Sequence, residues 1–264
     1  MAALEDHAFA RRPRAAQANV PSEVRALGRS VVRALGLASS IVELVTRSRA
    51  EDAAAAPTPE WLAGRSQRAA EAILERHGVI VVANAPSSPG PAIIVTNHTS
   101  YLDPLVVASV LPCLAIAKGE TGRWPLVGPG LRALGVLFVR RGDPHSGAIV
   151  LRRALRALRA GASVLNFAEG TTTDGQRVGP FHRGIFGLAR LASVPVIPAW
   201  IAYDDPRVAW FGGAAFAPHY ARLAQTRHVV ARVRFGAPFA ARSTDDATYL
   251  AARARADVAA LKPR

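Results

Sequence analysis

The chain has 264 residues, half of them hydrophobic, enough for one α/β core with an added helical segment and too few for two catalytic domains of ordinary size. Lys and Arg total 33 against 19 acidic residues, a net charge of +14 that presents a positive potential to an anionic partner. Without paired zinc ligands, an RNP-like aromatic run or a basic region feeding a heptad zipper, that charge favours an anionic bilayer over nucleic acid.

The single cysteine, Cys113, excludes an internal disulfide and a Cys-based metal cluster and reads as a small core residue in a reducing compartment. The first residues include Glu5 and Asp6 and lack a basic-then-apolar secretory pattern, so export is not expected. The longest apolar stretches are broken by Arg33 and Glu43 or by Pro112, short of the roughly 18 uninterrupted residues of a spanning helix. Membrane association is therefore expected to be peripheral.

Residues 1–21, rich in Ala and Arg with Pro13 and Pro21, read as a flexible basic arm. Across 24–45, Val24, Leu27, Val31, Leu35, Ile41 and Val45 recur at mostly helical spacing, with Arg25, Arg29 and Arg33 on another face. Two placements stand for this amphipathic helix. It lies in the headgroup layer with arginines on phosphates, or it packs on the domain. The segment 22–57 is assigned to it, and 58–264 to the α/β domain.

After a soft Ala/Pro stretch at 52–59, residues 61–76 predict a helix, and Gly78 leads into the apolar run 79–82. Short β-rich runs at 93–96, 114–117, 136–139, 164–167, 196–201 and 229–235 alternate with helical patterns, the rhythm of an α/β sheet covered by helices. The clearest helix is 145–160, with Leu151, Leu155 and Leu158 in one stripe and Gly161 as its stop.

The run 93–96 feeds directly into Asn97-His98-Thr99-Ser100-Tyr101-Leu102-Asp103-Pro104, with Pro104 placed to open a helix. Strand-to-helix turns at a sheet end are where α/β proteins put reactive groups. A turn between His98 and Asp103 folds the carboxylate onto one imidazole nitrogen and leaves the other free to accept a proton, the base-plus-orienter part of a triad. No G-x-S-x-G elbow supplies a nucleophile, and Ser100 is too close to His98 for a pairing, so the attacked hydroxyl is assigned to the substrate.

Asn97, His98, Ser100 and Asp103 match the N-H-x-S-x-x-D motif, and the chain here resembles the glycerolipid acyltransferase family of the lysophosphatidate (1-acylglycerol-3-phosphate) type. Gly135-Val136-Leu137-Phe138-Val139-Arg140-Arg141, Phe167-Ala168-Glu169-Gly170-Thr171 and Val194-Pro195-Val196-Ile197-Pro198 are similar to its further blocks, in the family's order. The resemblance covers about 79–235. It implies a mixed central sheet flanked by helices, a helical membrane-docking segment before it, acyl-CoA or acyl-carrier protein as co-substrate, no cofactor, and a lysolipid acceptor.

On that resemblance His98 is the general base and Asp103 its orienter. Asn97, Ser100, Lys118, Arg140, Arg141, Glu169, Gly170 and Thr171 are carried over as substrate-binding positions. Arg140 or Arg141 would clamp an acceptor phosphate through paired guanidinium donors, the alternative being a solvated strand end. Lys118 with Glu120 either lines the site or forms a surface ion pair. Backbone N–H groups near 169–171, or at the helix start after Asp103, are the candidate oxyanion donors.

One block departs from the pattern. The family's E-G-T-R-S is Glu169-Gly170-Thr171-Thr172-Thr173-Asp174 here, which resembles lyso-ornithine lipid acyltransferases, as does Phe181-His182-Arg183-Gly184. His182, His219 and His228 show no metal-ligand spacing, so no metal is expected. Trp200, Trp210 and Phe211 either line an acyl channel or belong to the core.

The leading expectation is transfer of a fatty acyl group to the free hydroxyl of lysophosphatidic acid, at the cytoplasmic face of the cell membrane. The alternatives are a lyso-ornithine lipid or another lysolipid acceptor, a thioesterase or lipid hydrolase, and a non-catalytic basic membrane-binding protein.

Overall fold

The computed structural model describes residues 21–84 and 90–263. Apart from Pro21, the basic arm lies outside them. Helix α1 (Ser22–Ala54) and α2 (Pro59–Arg76) precede strand β1 (Val79–Ala83). Then come β2 (Ile93–Thr96), α3 (Asp103–Val110), β3 (Cys113–Lys118), a 3-10 turn (Gly119–Arg123), α4 (Val127–Ala133) and β4 (Leu137–Val139). The second half runs α5 (Pro144–Arg159), β5 (Ser163–Asn166), α6 (Gly187–Ala192), β6 (Val196–Tyr203), α7 (Phe216–Leu223), β7 (Val229–Phe235) and α8 (Ala247–Ala260).

The seven strands form one sheet in the order β1-β7-β6-β2-β5-β3-β4. Every pairing is parallel except β6 with β7, so β1 and β7 run against the other five and the sheet is mixed. Central β2 reads as an unbroken apolar run because both of its faces are covered, and all four of its residues are buried. Alternation along it feeds two cores. Ile93 and Val95 pack with Leu158, Leu188 and Leu250 beneath α5, α6 and α8, and Ile94 packs with Leu74, Val106 and Val107 beneath α2 and α3.

Helix starts follow local chemistry. Thr58 accepts from Trp61 N at 3.2 Å ahead of Pro59, and Asp143 accepts from Ser146 N at 3.0 Å ahead of Pro144. α4 has poor helix propensity, with Gly128, Pro129 and Gly130 in seven residues, and its placement comes from packing. A Cβ at Gly128 would collide with the carbonyl oxygen of Gly122, and one at Gly130 would stand 3.2 Å from Ile41 of α1.

α1 extends nine residues beyond the predicted 24–45, because Asp52–Ala54 continue the helix until the chain turns extended ahead of Pro57. Of the two placements read from the sequence, the helix packs on the domain, and the polar side is the one turned inward. Arg33 is 9 % exposed; its Nη1 donates to the carbonyls of Ala224 (3.2 Å) and Thr226 (2.6 Å), and Nη2 to that of Arg227 (2.9 Å). Arg29 donates to Gln225 O, and Ser30 to Ala221 O. Carbonyls at and just beyond the end of α7 lack helical partners, and a cation satisfies their charge as well as their lone pairs. Arg29 and Arg33 are thus occupied by protein and not available for phosphates.

At the other end of α1, Arg65 bridges Glu51 and Asp52 and donates to Ala133 O of α4. The opposite face of α1 leaves Val24, Leu27, Val31, Val32, Leu35 and Val42 more than half exposed. No described helix is long and apolar enough to cross a membrane.

Arg33→Ala removes three charge-assisted bonds and strands the carbonyls beyond α7. Chemical denaturation is expected to show a loss of about 3 kcal/mol; an unchanged midpoint would contradict this anchoring role.

Candidate active site

β2 ends where the site begins. Asn97 continues the sheet with its side chain: Nδ2 donates to Ile201 O at 3.0 Å, and Ile201 N donates to Oδ1 at 2.8 Å. This borrowed pair lets the backbone leave the sheet while β6 stays satisfied. Ser100, fully buried, accepts from Leu102 N through Oγ at 3.2 Å and from Asp103 N through its carbonyl at 3.2 Å. The sequence puts Asn97 and Ser100 among the substrate contacts. The structure instead engages their polar groups inside the protein, where they shape the turn.

Asp103 opens α3 and is 0 % exposed. Its Oδ2 accepts from His98 Nδ1 (2.9 Å), Thr99 N (2.7 Å) and Ser100 N (2.9 Å), and its Oδ1 accepts from the Tyr203 hydroxyl (2.7 Å). A carboxylate with four donors is an acceptor only, so the proton between it and His98 belongs to Nδ1, and in the neutral ring the lone pair is on Nε2. No described residue bonds Nε2, and the His98 side chain is 17 % exposed. The ring stacks on Phe167, centroids 3.9 Å apart.

The loop after β5 holds the backbone of His98. Glu169 Oε1 accepts from His98 N at 2.9 Å, and Oε2 accepts from Gly179 N at 2.8 Å. On the other side Thr173 N donates to His98 O at 2.8 Å. Burial pushes the Glu169 carboxyl above its ordinary range, against the pull of those two N–H donors. Glu169 is therefore brought to His98 as a brace. Gly170, at φ +74°, passes so close to His182 that an added Cβ would lie 3.0 Å from its ring, and Thr171 is exposed beside it.

A third segment closes over the turn. Trp210 N donates to Thr99 O at 2.8 Å, and Tyr101, Trp124, Trp210 and Phe216 gather with neighbouring centroids 5.0–6.4 Å apart. His219 is buried between the Tyr101 hydroxyl and Ala209 O. Trp200 is core, whereas Phe211 is 47 % exposed. Among the described residues no group of three or more His, Cys, Asp or Glu is gathered to hold a metal.

Lys118, Arg140 and Arg141 are not brought to His98. They stand at the same, carboxyl, end of the parallel strands, but on β3 and after β4, two and three strands from β2, about 10 and 14 Å away laterally. Lys118 pairs with Glu120 at 3.5 Å and Arg140 with Asp143 at 3.0 Å, all in exposed or half-exposed positions where such pairs contribute little.

Sequence reasoning missed Tyr203, Thr173 and Phe167 as parts of the site. Tyr203 lies 100 residues from Asp103, and no local spacing rule connects them. Thr173 sits in the block that departs from the expected pattern, a signal that something else was required there.

Asp103→Asn keeps the size but offers one acceptor oxygen where two are used, turning an amide N–H against a donor. A loss of about 3 kcal/mol in unfolding free energy is expected, and an unaltered denaturation midpoint would contradict the four-donor assignment.

The acyltransferase family model matches residues 68–202, from within α2 to the penultimate residue of β6. A lyso-ornithine lipid O-acyltransferase of Brucella abortus is 33 % identical over 174 residues, 59 % of this chain and 65 % of that protein. A chloroplast 1-acyl-sn-glycerol-3-phosphate acyltransferase of Brassica napus is 37 % identical over 117 residues, 44 % of this chain and 34 % of that protein. The chain thus spans less than two thirds of the length of these relatives. The crystal structure of the 1-acyl-sn-glycerophosphate acyltransferase from Thermotoga maritima shares the fold, with a TM-score of 0.63 at 18 % identity over 92 % of this chain and 99 % of that one. With the match covering half of the sequence and enclosing both His98 and Asp103, the chain belongs to the acyltransferase family.

Proposed function

We propose that the chain transfers a fatty acyl group from a thioester, acyl-CoA or acyl-carrier protein, to the free hydroxyl of a lysolipid at an anionic membrane surface. The observation that carries this reading is the 2.9 Å contact of His98 Nδ1 with a buried Asp103, which leaves Nε2 as a free base at the carboxyl end of the sheet. Nε2 takes the acceptor's hydroxyl proton as that oxygen attacks the thioester carbonyl. Asp103 holds the ring and stabilises the imidazolium. The tetrahedral intermediate then expels the thiolate, which recovers the proton from His98.

The intermediate's oxyanion needs a donor. The N–H groups of Thr99, Ser100, Leu102, Asp103 and Gly170 are all bonded within the protein, whereas those of Tyr101, Glu169 and Thr171 have no partner among the described residues, and of these three Thr171 is the exposed residue. This favours Thr171 N–H for the role.

Lysophosphatidic acid is the acceptor supported by the exposed cations Lys118, Arg140 and Arg141. A lyso-ornithine lipid is supported by Thr172 standing where the family's arginine is usual, and by the similarity to the Brucella abortus enzyme.

The outward apolar face of α1 supports peripheral docking, with the cytoplasmic face of the cell membrane as its place. Six aliphatic side chains at about 1 kcal/mol each for partial burial provide several kcal/mol toward association.

Purified wild type and His98→Ala, given labelled acyl-CoA or acyl-carrier protein with both acceptors, test the reaction. Transfer by wild type and a loss of at least about a thousandfold in the variant is the expected result. Equal transfer by both proteins, or none to either acceptor, would overturn the reading. Fatty acid released without acceptor would identify a hydrolase instead. For the membrane, the triple variant Leu27→Glu, Val31→Glu, Leu35→Glu is expected to lose flotation with anionic vesicles while keeping its melting temperature; retained flotation would refute docking through α1.

A further inference from the structure

Strand β6 serves the reactive turn at two points. Ile201 clamps Asn97 through its backbone, and two residues later the side chain of Tyr203, the last residue of the strand, reaches Asp103 Oδ1 at 2.7 Å. The other carboxylate oxygen already takes three donors, including His98 Nδ1. Tyr203 is therefore the one side-chain group besides His98 that bonds Asp103 among the described residues. It lies one position beyond the segment matched by the family model.

We propose that Tyr203 is a positioning residue that sets the basicity of His98 by holding the second oxygen of Asp103. The inference rests on His98 acting as the base. Each donor on a carboxylate draws off charge that would otherwise attract the imidazolium, and with Asp103 at 0 % exposure water offers no substitute. Without the phenol, the charge of Asp103 falls more fully on Nδ1–H, the imidazolium is stabilised, and Nε2 holds its proton to higher pH. With it, the turn keeps an orienting carboxylate that does not over-stabilise the charged ring. Burial and the adjacent Asp103 keep the phenol protonated, its pKa raised well above the ordinary value, so it remains a donor throughout.

The titratable groups facing the pair are few. Asp103 comes from α3 and Glu169 from the loop after β5. Tyr203 comes from β6, with Tyr101 of the turn acting on it. Glu169 also loosens the turn when protonated at acid pH, so an activity profile alone mixes two events. Direct titration of the ring separates them.

The test is NMR titration of ring-labelled histidine in wild type, in Tyr203→Phe and in protein carrying 3-fluorotyrosine at position 203, with the His98 signals assigned by His98→Gln. Tyr203→Phe is expected to raise the His98 midpoint, and the fluorinated phenol, a stronger donor of nearly the same size, to lower it. The acid limb of acyl transfer should shift in the same directions. Coincident midpoints, or shifts of the same sign, overturn the proposal. If Tyr203→Phe does not fold, the fluorinated protein decides, and the absence of a downward shift is contrary. Should wild type transfer no acyl group, the functional reading fails while the titration still decides the role of Tyr203.

Discussion

A carboxylate at 0 % exposure is the constraint from which the rest of the site follows. Removing Asp103 from water costs several kcal/mol, and only close, well-aligned donors offset that. The turn 97–103 supplies two backbone N–H groups and an imidazole, and β6 supplies a phenol. Asp103 also stands in the first turn of α3, where the helix dipole favours a negative charge. Any movement of the turn, of β6 or of the start of α3 would leave part of that charge unpaired.

His98 is fixed by the same economy of contacts. Its N–H, its carbonyl and its Nδ1 are each engaged, by Glu169, Thr173 and Asp103. With Phe167 against its face, the ring has one polar atom left for chemistry. Thr173 also bears on the T-T-T-D departure. Where the family's arginine and serine are usual, the loop offers backbone and hydroxyl contacts from Thr173 to the His98 carbonyl that hold the turn.

What was legible in the sequence was local. His98 and Asp103 are five residues apart, and β2 and β7 announced themselves as runs of β-branched and apolar residues, so both the dyad and the sheet were readable. Asn97 and Ser100 were recognised by motif but assigned to substrate, because a pattern does not reveal which atoms face inward. Tyr203 could not be found, since its partner lies 100 residues away. For α1 the periodicity identified an amphipathic helix but not its orientation: arginine commonly faces water or phosphate, and here unpaired carbonyls beyond α7 bind it more specifically. α4 was invisible to propensity because its glycines answer to close approach by Gly122 and Ile41.

The measurement that bears most directly on the central claim is the tautomer of His98, read from 15N shifts of ring-labelled protein with the imidazole neutral. The account predicts a proton on Nδ1, directed at Asp103, and an unprotonated Nε2. A proton on Nε2 would contradict it, since the ring would then have no lone pair to offer an acceptor hydroxyl.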